Sequence, residues 1–86
     1  MIKETENFRK KLLFRSSHRG TKEMDIILGT YAEENLPNMN EIELRKFQEF
    51  LNLSDPDLYK WIMSGDKSYS EEYKEIIEDI ISTKDL

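Results

Sequence analysis

The sequence predicts an all-α protein, a compact bundle of five short helices. Three observations predict it. Valine is absent, and Gly and Pro together number five in 86 residues, so strand formers and turn formers are both scarce. Apolar residues recur at i, i+3, i+4 and i+7 in several windows, the period of a one-sided helix. Leu, Ile and Phe make up 22 of the 86 residues, which is about 26% and above the roughly 20% below which a charged chain stays disordered. Charged residues reach 36%, so what core there is must be built from these few apolar stripes.

The first helix is expected over residues 6–17, where Phe8 and Leu12 share a face and Arg9, Lys10, Lys11 and Arg15 decorate the rest. Gly20 interrupts it. The second is expected over residues 21–35, with Met24, Ile27, Leu28, Tyr31 and Ala32 on one stripe and Pro37 ending it. Gly29 lies inside that stripe at a cost of about 1 kcal/mol relative to Ala, so a close helix–helix contact is expected there. The third is expected over residues 40–51. Asn40 followed by Glu43 has capping-box spacing, and Met39 and Leu44 are spaced as a hydrophobic staple.

The fourth helix is expected over residues 56–64. Proline is favoured at the first helical position, which makes Asp55 the expected N-cap and Pro56 the first residue. Leu58, Trp61 and Ile62 then face inward, and Gly65 is a natural stop. The fifth is expected over residues 70–82, beginning after Ser68 or Ser70, with Tyr73, Ile76, Ile77, Ile80 and Ile81 in register and the last few residues frayed. There is no internal repeat, no coiled-coil heptad run and no low-complexity tract. One domain, residues 1–86, accounts for the length.

Composition excludes several chemistries. With no cysteine there is no disulfide, zinc–thiolate site or thiol nucleophile, and the single histidine, His18, cannot build a multi-histidine metal site. No metal site is expected. No phosphate-binding glycine loop, dinucleotide fingerprint or nucleophile elbow is present. A chain of this length buries only about 60–65% of its unfolded surface, which leaves little room for a substrate cleft. An enzyme is therefore not expected. The longest apolar runs are three residues, against the about 20 a membrane helix needs, and no secretory signal is read at the start. A cytoplasmic, bacterial setting without membrane insertion is the expectation.

Charge is unevenly placed. Residues 1–22 carry a net +5 and residues 23–86 a net −10, a polarised surface that calls for an acidic partner on one side. The segment His18-Arg19-Gly20-Thr21-Lys22-Glu23 falls in the turn between the first two helices. Gly20 can take φ > 0 there and admit another backbone. Arg19 offers a fork of donors for carboxylates or carbonyls, and Glu23 suits the first turn of a helix. The plainer reading is a helix stop with an exposed Arg19–Glu23 pair worth under about 1 kcal/mol. In the same plain reading His18 is an exposed polar residue and Trp61 belongs to the core.

Arg19-Gly20-Thr21-Lys22-Glu23, an Arg-Gly-x-x-Glu motif, is followed about thirty residues later by Asp55-Pro56-Asp57-Leu58-Tyr59-Lys60-Trp61. In this order and spacing they resemble the succinate dehydrogenase FAD assembly factor (flavinylation factor, SdhE) family, over roughly residues 8 to 82. The resemblance implies a five-helix bundle. It also implies a chaperone-like factor that binds the flavoprotein subunit of succinate dehydrogenase, or of the related fumarate reductase, and promotes covalent attachment of FAD to it. FAD then belongs to the client, and none is bound tightly by the factor. The same resemblance carries Arg19, Gly20 and Glu23 over as partner-binding residues, with Asp25 just beyond and His18 at the flank. A monomer is expected. An alternative is an antitoxin-like partner of a membrane toxin. A nucleic-acid binder using the basic first helix is opposed by the −10 remainder, and no nucleic-acid partner is expected.

Overall fold

Three helices of this chain start at a residue whose side chain accepts from a free N–H group of the first turn. The computed structural model describes residues 2–84. Among them are five α-helices and two single-turn 3-10 helices, with no strand. Residues 85 and 86, part of the end expected to fray, lie outside the described residues.

Helix α1 runs Ile2–Ser17, four residues earlier than its apolar stripe announced. Nothing in residues 2–5 breaks a helix, and Glu4 stands in the first turn, where the helix dipole favours an acid. Helix α2 runs Lys22–Asn35, capped by the Thr21 hydroxyl accepting from the Met24 N–H at 3.3 Å. A 3-10 turn, Leu36–Asn38, carries Pro37 and turns the chain toward α3.

Helix α3, Glu41–Leu51, opens on the capping box expected from its sequence. The Asn40 side chain accepts from the Glu43 N–H at 2.8 Å, and the Glu43 carboxylate accepts from the Asn40 N–H at 2.9 Å. Helix α4, Asp55–Ile62, begins differently from expectation. Its N-cap is Ser54, whose hydroxyl accepts from the Asp57 N–H at 3.3 Å. Asp55 is thus the first helical residue, not the cap, and Pro56 the second. A serine one residue upstream serves as the cap, which leaves the Asp55 carboxylate available elsewhere.

Helix α4 stops at Ile62, two residues before the expected end. Gly65 at φ +76° then turns the chain back, and the Asp66 N–H reaches the Lys60 carbonyl at 3.0 Å. The last element starts as a 3-10 turn, Glu71–Tyr73, and continues as α5, Lys74–Lys84.

The core draws on all five helices, Leu12 of α1 included, with α1 packed along α2 and onto α3. Leu28, Leu44, Phe47, Phe50, Leu58 and Ile77 are fully buried. Tyr31, Phe47, Phe50 and Tyr73 form a run of ring contacts at 5.7, 6.2 and 5.7 Å. Trp61 belongs to this core. It is nearly buried, and its indole N–H donates to the Ser68 hydroxyl at 3.1 Å. The close contact expected at Gly29 is with α1: a Cβ there would stand 2.9 Å from the Ser17 Oγ.

Candidate functional site

The turn joining α1 to α2 is fastened from both sides. The Arg19 backbone N–H donates to the Asp25 carboxylate in the first turn of α2. The Asp25 N–H donates in turn to the Thr21 carbonyl at 3.0 Å. Asp25 therefore shapes the turn, and it is only half exposed.

The Arg19 side chain leaves its own helices and crosses to the α3–α4 connection. Its Nε donates to Asp55 Oδ1 at 2.9 Å, and Nη2 lies 2.8 Å from the same oxygen. Nη1 donates to the Leu51 carbonyl at 2.8 Å and Nη2 to the Leu53 carbonyl at 3.3 Å. Those carbonyls belong to the end of α3 and the following linker, where helix geometry leaves acceptors without partners. Arginine fits because one planar fork serves a carboxylate and two carbonyls together. Its side chain is 11% exposed and that of Asp55 40%.

The exposed Arg19–Glu23 pair of the plain reading is not formed. Arg19 bonds to Asp55, while Glu23 is exposed and engages no ion pair among the described residues. Gly20 is exposed as well, but its φ is not positive. Its constraint is space: a Cβ on Gly20 would stand 3.0 Å from Asp55 Oδ2. His18 is exposed and its Nδ1 lies 2.8 Å from the Phe14 carbonyl. Its ring stacks on Phe14 at 4.0 Å, and Phe14 is itself 63% exposed.

The structure thus brings Arg19, Gly20 and Asp25 together and leaves Glu23 and His18 on the surface beside them. It adds Asp55, which sequence reasoning read as a helix cap and as the head of the second motif, but not as a partner-binding residue. The signal was present in the Asp55-Pro56-Asp57-Leu58 motif, but Ser54 had to be recognised as the better cap. Between the two motifs lies a shallow notch of about 350 Å³, lined by Thr21, Met24, Asp55, Pro56 and Tyr59.

The +5 segment is less available than its sum implies. The Arg9 Nε donates to the Leu36 carbonyl at 3.0 Å and its Nη2 to the Met39 carbonyl at 2.8 Å, holding the α2–α3 connection. The Arg15 Nη2 donates to Asn52 Oδ1 at 2.6 Å. With Arg19, three cations of this segment are tied to the chain's own loops.

Neither the notch nor the other apolar concavity fits FAD. The notch offers no cation for a pyrophosphate. The concavity beside Arg9 and Lys10 is only about 150 Å³, below the roughly 300–1,000 Å³ of ligand pockets. No group of three or more metal-ligating side chains is clustered among the described residues. No helix among them is long and apolar enough to cross a membrane.

Residues 10–84 match the family described as "Flavinator of succinate dehydrogenase". The chain belongs to that family. The chain is 42% identical over 62 residues to "Succinate dehydrogenase assembly factor 2, mitochondrial" of Dictyostelium discoideum, covering 72% of this chain and 44% of that protein. It is 44% identical over 52 residues to the protein of the same description from Arabidopsis thaliana, covering 60% of this chain and 28% of that protein. To "FAD assembly factor SdhE" of Acetobacter pasteurianus it is 41% identical over 54 residues, covering 63% of this chain and 50% of that protein. The match therefore spans half or less of each of these relatives. The flavinator family is the one that the two motifs resembled.

Two groups with shifted acidity lie away from the motif turn, where α2 meets α5. Burial, and then Asp79, Glu75 and Glu43, push the Tyr31 hydroxyl up to about 12. Burial, and then Glu75 and Glu78, hold the Asp79 carboxyl above the usual carboxylate range. Neither group belongs to the notch.

Proposed function

We propose that this chain is an assembly factor that binds the flavoprotein subunit of succinate dehydrogenase, or of fumarate reductase, and promotes covalent attachment of FAD to it. The observation that carries this reading is the family match over residues 10–84, which includes the whole Arg19–Glu23 motif and the Asp55–Trp61 motif. The geometry supports it through a surface turn held rigid by Arg19, Asp25 and Asp55.

On this reading the bond-forming chemistry belongs to the client and its flavin. The factor contributes orientation: a rigid bundle holds the client so that the flavin and its acceptor residue stay in register, and positioning of that kind is worth several kcal/mol, on the order of 7–11 in favourable cases. Gly20 and Glu23 meet the client directly, with His18 at the flank. Arg19 and Asp25 act from below by fixing the turn. The factor works as a monomer in the compartment where its client matures, the bacterial cytoplasm, in keeping with the Acetobacter relative.

The test is reconstitution. Purified flavoprotein subunit lacking covalent flavin is incubated with FAD, with and without the factor, and covalent flavin is read by in-gel fluorescence. The factor should accelerate its appearance, and the Gly20→Arg variant should fail to do so while melting as a folded protein. Equal rates with and without the factor would overturn the proposal.

A further inference from the structure

The two carboxylate oxygens of Asp55 are in different situations. Oδ1 receives both the Nε and the Nη2 of Arg19. The remaining guanidinium contacts go to the Leu51 and Leu53 carbonyls, so Arg19 does not cap Oδ2. Among the described residues no hydrogen bond is made to Oδ2.

Gly20 keeps that oxygen uncovered. A Cβ at position 20 would stand 3.0 Å from Oδ2, and a longer side chain would lie across it. Arg19 therefore fixes the carboxylate's orientation, and Gly20 leaves one of its oxygens open.

Asp55 itself lines the notch, with Thr21, Met24, Pro56 and Tyr59. Its walls are chiefly apolar, and Tyr59 is 40% exposed. A wholly apolar occupant would cover a charged oxygen without pairing it, which is costly. An anionic occupant would be repelled. A side chain with an aliphatic stem and a cationic head satisfies both parts: the stem lies on Met24 and Pro56, and the head meets Oδ2 and the Tyr59 ring. The net −10 of residues 23–86 favours the same sign of partner.

We infer that this notch seats a basic side chain, lysine or arginine, of the flavoprotein client, with Asp55 Oδ2 as its charge partner. The inference rests on the proposed function for the identity of the client. It makes the Arg-Gly-x-x-Glu and Asp-Pro-Asp-Leu motifs two halves of one recognition device.

The test measures the affinity of the full-length factor for the purified flavoprotein subunit by calorimetry, at about 50 and about 300 mM salt. Asp55→Asn retains an acceptor for Arg19 but removes the charge, and Tyr59→Ala removes a wall without touching Arg19. Each should weaken binding about tenfold, and Asp55→Asn should also flatten the salt dependence. Thermal melts establish that both variants are folded. Binding of both within about twofold of the wild type, at unchanged salt dependence, would overturn the inference and leave the assembly function standing. Loss in Tyr59→Ala alone, with the Asp55→Asn salt dependence unchanged, would overturn the basic occupant. Failure of the wild-type factor to bind the flavoprotein would instead overturn the proposed function, and the inference with it.

Discussion

Arg19 and Asp55, 36 residues apart in the chain, are joined by a hydrogen bond of 2.9 Å from Nε to Oδ1. The contact ties the turn between α1 and α2 to the first residue of α4. It makes an internal brace of an arginine that the family resemblance implies to be a partner-binding residue. The brace sits directly beneath the glycine and near the glutamate that remain exposed.

Replacing Arg19 should therefore weaken the fold as well as the client contact. Arg19→Ala strands two carbonyls and removes the ion pair of Asp55. Hydrogen bonds from a charged donor contribute about 1.5–3 kcal/mol each, and water reaches the half-exposed Asp55 after the change, so a net loss of about 2–3 kcal/mol is expected. In a domain of this size that lowers the melting temperature by roughly 10–20 °C. Arg19→Lys should fall between the two, because an ammonium cannot serve the carboxylate and both carbonyls at once. Circular dichroism melts check the order. An Arg19→Ala protein that melts with the wild type would show that the brace contributes nothing.

The cap of α4 supplies a separate measurement. Ser54 accepts from the Asp57 N–H, while Asp55 serves Arg19. Ser54→Ala should cost about 1 kcal/mol, the usual loss for an N-cap, without altering client affinity at temperatures where the variant is folded. Asp55→Ala should lower both stability and affinity. Parallel melts and binding curves of the two variants separate the cap from the recognition element. Equal losses of affinity would mean that the two residues act as one unit.

Alkaline stability should report on Tyr31. Its hydroxyl is held up to about 12 in the folded protein, chiefly by burial and then by Asp79, Glu75 and Glu43. The unfolded chain ionises its tyrosines near their ordinary value, about 10. A raised folded value means that the native state keeps the proton longer. The stability it confers is intact below about pH 10 and is lost as pH climbs toward about 12, an amount on the order of 2–3 kcal/mol. Tyr31→Phe should remove much of that decline while keeping the ring contact with Phe47 at 5.7 Å. Denaturant midpoints taken from pH 8 upward read the effect, and identical slopes in wild type and Tyr31→Phe would exclude Tyr31 as its source.

Much of the architecture was legible because it depends on neighbours in the chain. The α2 and α5 stripes place Leu28 and Ile77 in the core, Asn40 and Glu43 close their capping box within one turn, and Gly29 marks the close approach to Ser17. Each is a relation among residues a few positions apart, or a packing need stated by one residue's size. The start of α4 was misread for a local reason: Ser54 and Asp55 are both good caps, and Pro56 favours the reading in which Asp55 caps. Only the pull of Arg19 on Asp55, and the hydroxyl of Ser54 on Asp57, separate them.

By itself the sequence determined the helical class, the order of the helices and the two motifs that mark the family. Periodicity, capping spacing and composition are properties of the linear chain, and they need no partner to be read. Only the tertiary structure decided what Arg19, Gly20 and Asp55 do together. A salt bridge spanning 36 residues has no sequence period. Whether a glycine is needed for its φ or for the room above a carboxylate depends on which atoms arrive next to it in three dimensions.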